Sequence, residues 1–217
     1  LLRHEVNFPN SLGLFYSAVT KAVGLKPMED EYILMGMAAY GDPIEGKRLS
    51  RQMGKDHFFF HHAWISNKQS LRGSGNLQRG LKSDMYSEYD DFTIAYAAQN
   101  QVEKRVMSYA EYARDVTGSE NLVFMGGVAL NCVANSRLFD LGYKNIHIMP
   151  NPGDAGSSLG AAALHQYNTT GKKINWNGPY LGHNIEGPYP IKKALASLKK
   201  GEIFGIANGR AEFGPRA

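Results

Sequence analysis

Apolar residues at Leu14, Phe15, Ala18, Val19 and Ala22 recur every three to four positions, the repeat of one helix face. Ser11 stands where an N-cap belongs and Gly24 where a helix stops, so the pattern predicts a helix over residues 11–23. A second apolar run over 32–39 closes on Tyr40-Gly41-Asp42-Pro43, a turn signal. Phe58-Phe59-Phe60 and Trp64-Ile65 read as short strand pieces, and the polar, Gly/Ser-rich stretch 66–91 reads as a long surface loop. The clearest periodicity is Ala97/Ala98, Val102, Val106, Tyr109/Ala110 and Ala113, which predicts a helix over 93–116 ended by Gly118.

Downstream the pattern changes. A buried-type strand is expected over 121–125, then Gly126-Gly127, then a helix over 130–141. A second strand follows over 145–149, a Gly/Pro loop over 150–156, and a small-residue helix over 157–167. Strand, glycine turn and helix, repeated twice, put the chain in the α/β class. Residues 168–190 are rich in Gly, Pro and Asn and read as a linker, beyond which 191–198 is expected to be helical and 202–207 a strand.

Composition narrows the class without naming it. Among 217 residues, 43% hydrophobic and 20% charged fit an ordinary globular chain with a real core. The net charge of +4 is mild, and the lysine pairs 172/173, 192/193 and 199/200 are scattered rather than gathered into a stripe, so no nucleic-acid partner is expected. No run is long enough to span a membrane. The single cysteine, Cys132, cannot form an internal disulfide, which points to a reducing, cytoplasmic setting. Both ends look cut, and the chain reads as an excerpt of a longer protein.

Three places carry chemistry. The first is Phe124-Met125-Gly126-Gly127-Val128-Ala129-Leu130-Asn131, a strand entering a helix through two glycines. Glycines admit a ligand close to the backbone, and the helix start offers N–H groups to a phosphate, ribose or base. Asn131 has an amide that can both donate and accept. The competing reading is a tight structural turn with Asn131 exposed, and from spacing alone a Gly-Gly pair favours it. The second is Asn151-Pro152-Gly153-Asp154-Ala155-Gly156, where a carboxylate between glycines can hold a divalent metal or merely cap the helix at Ser157. The third is the terminal loop, with Arg210 and Arg216 suited to bidentate contacts with phosphate, or else simply exposed. His57, His61 and His62 are read as ordinary histidines, because Phe58-Phe59-Phe60 between them suggests strand rather than a helical ligand spacing, and Cys132 as a buried structural thiol.

Five motifs occur in order: Phe8-Pro9-Asn10-Ser11-Leu12-Gly13, Leu34-Met35-Gly36-Met37-Ala38-Ala39-Tyr40-Gly41, Gly126-Gly127-Val128-Ala129-Leu130-Asn131-Cys132, Pro152-Gly153-Asp154-Ala155-Gly156, and Gly209-Arg210-Ala211-Glu212-Phe213-Gly214-Pro215-Arg216-Ala217. The series resembles the O-carbamoyltransferases of nodulation-factor and antibiotic biosynthesis, a family of the tobramycin carbamoyltransferase type, over nearly the whole chain. The resemblance implies the second half of an actin/sugar-kinase/chaperone-type (ASKHA) domain over 1–170, a linker over 171–190, and the beginning of a YrdC-like domain over 191–217. It implies that carbamoyl phosphate and ATP make carbamoyl-adenylate, and that the carbamoyl group then passes to a hydroxyl of a small molecule. It assigns Gly126, Gly127 and Asn131 to the adenosine part, Gly153 to the phosphate, Asp154 to a divalent metal such as iron, and Arg210 and Arg216 to the carbamoyl-phosphate and ATP site. The loops near 127 and 154 would then share one pocket. No catalytic residue is assigned, and the family's paired metal histidines would lie before the first residue of this chain, so this stretch alone is expected to be inactive. A tRNA threonylcarbamoyl-transferase, a sugar kinase and an actin- or chaperone-like scaffold without catalysis are the alternatives.

Overall fold

The structure is a computed structural model and describes residues 5, 11–61, 64–67, 81 and 86–215, the side chains of 56–67 excepted. The chain divides into two compact units, Leu1–Ile148 and Met149–Ala217.

The first unit is built around one long helix. In chain order it contains helices α1 (Leu12–Ala22), α2 (Glu31–Met37) and α3 (Pro43–His57), strands β1 (Phe58–His61) and β2 (Trp64–Asn67), helix α4 (Asp91–Thr117), strand β3 (Asn121–Val123), helix α5 (Cys132–Arg137) and strand β4 (Asn145–His147). Short 3₁₀ turns lie at Ala38–Tyr40, Gly127–Leu130 and Leu138–Leu141. Helix α4 starts where the Asp90 carboxylate accepts the N–H groups of Phe92 and Thr93, both at 3.0 Å. It stops at Gly118, whose φ of 64° favours a residue without Cβ. Its Ala95, Ala97, Ala98, Val102, Val106 and Ala110 are buried against α1, α2, α3 and α5. Phe15 and Val19 from α1, Leu34 from α2 and Leu49 and Met53 from α3 fill the same core. A buried methylene contributes about 0.8 kcal/mol, so this cluster carries the unit's stability.

Helix α3 reaches α4 by being small. Gly46, Ser50 and Gly54 fall four apart on one face. Gly46 lies under the Tyr96 ring, Ser50 is buried and donates its hydroxyl to Asn100 Oδ1 at 2.9 Å, and a Cβ at Gly54 would sit 3.1 Å from Gln101 Nε2. The Gln101 amide also donates to Ser50 O and, at 3.0 Å, to Ser50 Oγ. Asp42-Pro43 is therefore more than a turn. Asp42 Oδ1 accepts from the N–H groups of Ile44 and Glu45 at 2.7 and 2.8 Å, and Pro43 takes the first helical position, where its missing N–H costs nothing.

Strands β1 and β2 form an antiparallel hairpin. His57 ends α3 and His61 closes β1; their side chains, and His62 entirely, lie outside the described residues, as does most of 66–91. Strands β3 and β4 pair in parallel, Asn121 with Asn145 and Val123 with His147, and the Phe124 N–H continues the ladder to His147 O at 3.0 Å. The crossover between them runs through the Gly127–Leu130 turn and α5, a βαβ connection as the glycine-turn pattern implies. The expectation of a fully buried strand is corrected. Leu122 and Phe124 pack on the core, but Val123 and Met125 are 67% and 45% exposed, so alternate residues of this stretch face inward and outward as in a strand buried on one face. The helix expected over 130–141 is broken into α5 and two flanking 3₁₀ turns.

The second unit holds helix α6 (Ser157–Thr170), preceded by a 3₁₀ turn over Asp154–Gly156, the strand β5 (Asn184–Ile185), helix α7 (Ile191–Lys199) and strand β6 (Gly209–Arg210). Gly171, with φ of 68°, ends α6. The strand expected over 202–207 is absent: those residues have no regular structure, Ile203 is fully exposed, and the ladder forms instead between Asn184 and Arg210 and between Ile185 and Gly209. A strand exists only where a partner supplies its hydrogen bonds, and here the partner lies opposite 209–210.

Candidate functional site

The turn after β3 depends on Gly126. Its φ of 101° and ψ of 165° place it where a side chain is strained, and it lets the chain swing from strand into the Gly127–Leu130 turn. A Cβ built on either Gly126 or Gly127 meets nothing within 4 Å, so open space lies over both. The first N–H groups of this turn have no acceptor within it, as at any helix start. The Ala129 N–H is tied back to Gly126 O at 2.9 Å and the Asn131 N–H to Val128 O at 3.0 Å. An apolar cavity of about 390 Å³ adjoins the turn, lined by Val106, Tyr109, Leu122, Phe124 and Val128 among others.

Asn131 is 8% exposed and caps α5 by accepting the Ala134 N–H on Oδ1 at 2.9 Å. Its amide forms a reciprocal pair with Gln99 of α4: Asn131 Nδ2 donates to Gln99 Oε1 at 2.9 Å, and Gln99 Nε2 donates to Asn131 Oδ1 at 3.1 Å. Tyr16 of α1 donates its hydroxyl to Gln99 Oε1 at 2.9 Å, and Gln99 Nε2 donates to Glu103 Oε1 at 3.1 Å. The expected donor-and-acceptor role of Asn131 is thus present, exercised on Gln99. Sequence reasoning missed Gln99, Tyr16 and Glu103; separations of 32 and 83 residues leave no periodic signal. Cys132, expected to be buried, is exposed: Asn131 takes the inward position, and the thiol lies 4.0 Å from Met35 Sδ at the surface.

In the second unit, Gly153 precedes the Asp154–Gly156 turn and Asp154 is exposed. The carboxylate does not cap α6, whose N-terminus has no side-chain cap; the Ser157 hydroxyl bonds Asp154 O instead. Gly156 is fixed by shape, since a Cβ there would overlap the carbonyl oxygen of Asn151. Among the described residues no three of His, Cys, Asp and Glu converge in a way that holds a metal ion, so Asp154 by itself does not make a metal centre. Arg210 is exposed on β6 and donates from Nη1 to Gly182 O at 3.3 Å. Arg216 lies outside the described residues. The structure therefore brings Gly126, Gly127 and Asn131 together in one unit and holds Gly153, Asp154 and Arg210 in the other. No helix among the described residues is long and apolar enough to cross a membrane.

Comparison with known proteins gives this arrangement a family. The family model described as Carbamoyltransferase N-terminus matches residues 1–163, and the chain belongs to the carbamoyltransferase family. It is 34% identical to the uncharacterized protein sll1178 of Synechocystis, across 98% of this chain and 41% of that protein. It is 30% identical to the nodulation protein NolO of Bradyrhizobium diazoefficiens, across 98% of this chain and 43% of that protein. Nodulation protein U of Azorhizobium caulinodans is 36% identical over 110 residues, 46% of this chain and 20% of that protein. The chain spans about two fifths of the length of the first two.

Proposed function

We propose that the protein containing this chain uses ATP and carbamoyl phosphate to form carbamoyl-adenylate and transfers the carbamoyl group to a hydroxyl of a small molecule. Family membership and the likeness to nodulation proteins support this reading. The observation that carries it to particular residues is the Gly126-Gly127 turn: two glycines at a strand-to-helix junction, with open space above both and no side-chain cap on the turn that follows. In the transfer step the acceptor oxygen bonds the carbonyl carbon, the bond from that carbon to the phosphate oxygen breaks, AMP leaves, and the hydroxyl proton is released. Amides at the turn suit the oxygens of the adenylate.

The first unit and the 149–170 segment belong, in this reading, to an ASKHA-type domain spanning 1–170, with a linker over 171–190 and a YrdC-like domain beginning at 191. Asp154 supplies one oxygen to a divalent metal completed by residues outside those described, Gly153 lies beside the phosphate, and Arg210 and Arg216 serve the carbamoyl-phosphate and ATP site.

Gly127→Ala provides the test. Its backbone is not in the left-handed region and its Cβ would enter empty space, so folding should be unchanged. In the full-length protein, carbamoyl transfer and AMP affinity should fall roughly 5- to 150-fold if a ligand occupies that space, since one lost close contact of this kind costs on the order of 1–3 kcal/mol. Unchanged AMP binding in a normally folded Gly127→Ala protein would refute the cradle.

A further inference from the structure

We propose that Gln99 is a positioning residue: it occupies the second lone pair of Asn131 Oδ1 and one proton of Asn131 Nδ2, so it locks the side-chain orientation that the Ala134 N–H selects and limits what Asn131 can offer a ligand. The proposal rests on the nucleotide-cradle reading of that turn.

The argument begins with a donor that cannot reverse. The Ala134 backbone N–H donates to one oxygen of the Asn131 side chain at 2.9 Å, which identifies that atom as Oδ1 and its neighbour as Nδ2. Gln99 must then face Oδ1 with its Nε2 and Nδ2 with its Oε1, as observed at 3.1 and 2.9 Å. Glu103, an acceptor when ionised, must face Gln99 Nε2, and the Tyr16 hydroxyl must donate to Gln99 Oε1. Both protons and both lone pairs of the Gln99 amide are now in use. Both lone pairs of Asn131 Oδ1 are used too. Among the described residues, what remains for a ligand is the second proton of Asn131 Nδ2, a donor and never an acceptor. Asn131 therefore suits an acceptor atom, such as a ribose or phosphate oxygen or a ring nitrogen, and rejects a donor at the same place. Gln99, Asn131 and Tyr16 are all buried, so water cannot easily replace a misdirected bond.

The informative variant is Gln99→Glu, which keeps the shape and reverses one polarity. The new oxygen would face both Asn131 Oδ1 and the Glu103 carboxylate, and Asn131 cannot flip without opposing the Ala134 N–H. The double variant Gln99→Glu/Glu103→Gln restores a donor toward position 99 and leaves a single mismatch. In the full-length protein, AMP is titrated calorimetrically and amide hydrogen exchange is followed by segment. Gln99→Glu should weaken AMP binding about tenfold, the scale of one misdirected buried hydrogen bond. It should speed exchange in residues 126–135 while α3 keeps its protection, and the double variant should recover part of both effects. Loss of protection throughout the unit would mean a general packing role and would overturn the proposal. If Gly127→Ala weakens AMP binding and Gln99→Glu does not, the positioning role falls alone. If neither variant weakens it, the cradle reading falls first and takes this inference with it.

Discussion

Gly41→Ala should destabilise the first unit while Gly36→Ala, five residues earlier, should stabilise it. A Cβ at Gly41 would lie 2.6 Å from Tyr96 Cβ and 2.9 Å from the carbonyl carbon of Phe92, with the Phe92 oxygen closer still. Carbon atoms prefer about 3.5–4.0 Å, so the 38–41 turn must retreat by roughly an ångström from α4. Two of the three opposing atoms are helix backbone and cannot move aside. Retreat would also unseat Ala38 and Leu34, which are buried on the same segment. Overpacking of this kind costs typically about 1–3 kcal/mol, and rigid neighbours place Gly41→Ala near the top of that range. Gly36 sits exposed in the last turn of α2 with nothing within 4 Å, so alanine there should contribute up to about 0.5 kcal/mol through helix propensity. At roughly 2–4 °C per kcal/mol for a unit of this size, scanning calorimetry should show Gly41→Ala melting about 6–12 °C lower and Gly36→Ala slightly higher. A Gly41→Ala protein that melts within about 1 °C of the parent would refute the close approach between the turn and α4.

Asp90→Ala should cost about 1 kcal/mol by removing the cap of α4. The Thr93 hydroxyl, at 2.6 Å, and then the Thr93 N–H hold the Asp90 carboxyl below the usual carboxylate range. That stabilisation is complete above the unfolded value of about 3.9 and is lost as pH falls through the lower folded value, so urea titrations should show the gap between parent and variant closing in acid. Tyr143→Phe removes the hydroxyl that donates to Ala110 O at 2.6 Å and should lower stability by about 1 kcal/mol in the same assay. Asp154→Ala should leave melting unchanged, because its exposed carboxylate makes no hydrogen bond or ion pair among the described residues, yet should abolish carbamoyl transfer by the full-length protein; full transfer would remove the metal role.

Much of the first unit was legible because its helices announce themselves. α1 and α4 have apolar faces at helical spacing, capped by Ser11 and Asp90 and stopped near glycines, and both formed within two residues of expectation. α3 was missed for a physical reason. The face it turns to α4 is Gly46, Ser50 and Gly54, so close packing replaces the hydrophobic stripe that periodicity detects, and its Asp-Pro start imitates a turn. The 202–207 stretch has the composition of a strand, but pairing decides strands, and Asn184–Ile185 pair elsewhere. At the candidate site, the glycines were visible as glycines. What Asn131 does with its amide was not, because Gln99 and Tyr16 reach it only through tertiary structure.

The narrow seam between α3 and α4 also limits how homologous chains can drift. A residue larger than glycine at position 46 meets the Tyr96 ring, with atoms at 3.0 and 3.1 Å from a bare Cβ, and one at 54 meets the Gln101 amide. Growth on one side is tolerable only with shrinkage on the other. Positions 46 and 96, and 54 and 101, should therefore change together across relatives, a correlated substitution record that any sufficiently deep collection of sequences will reveal.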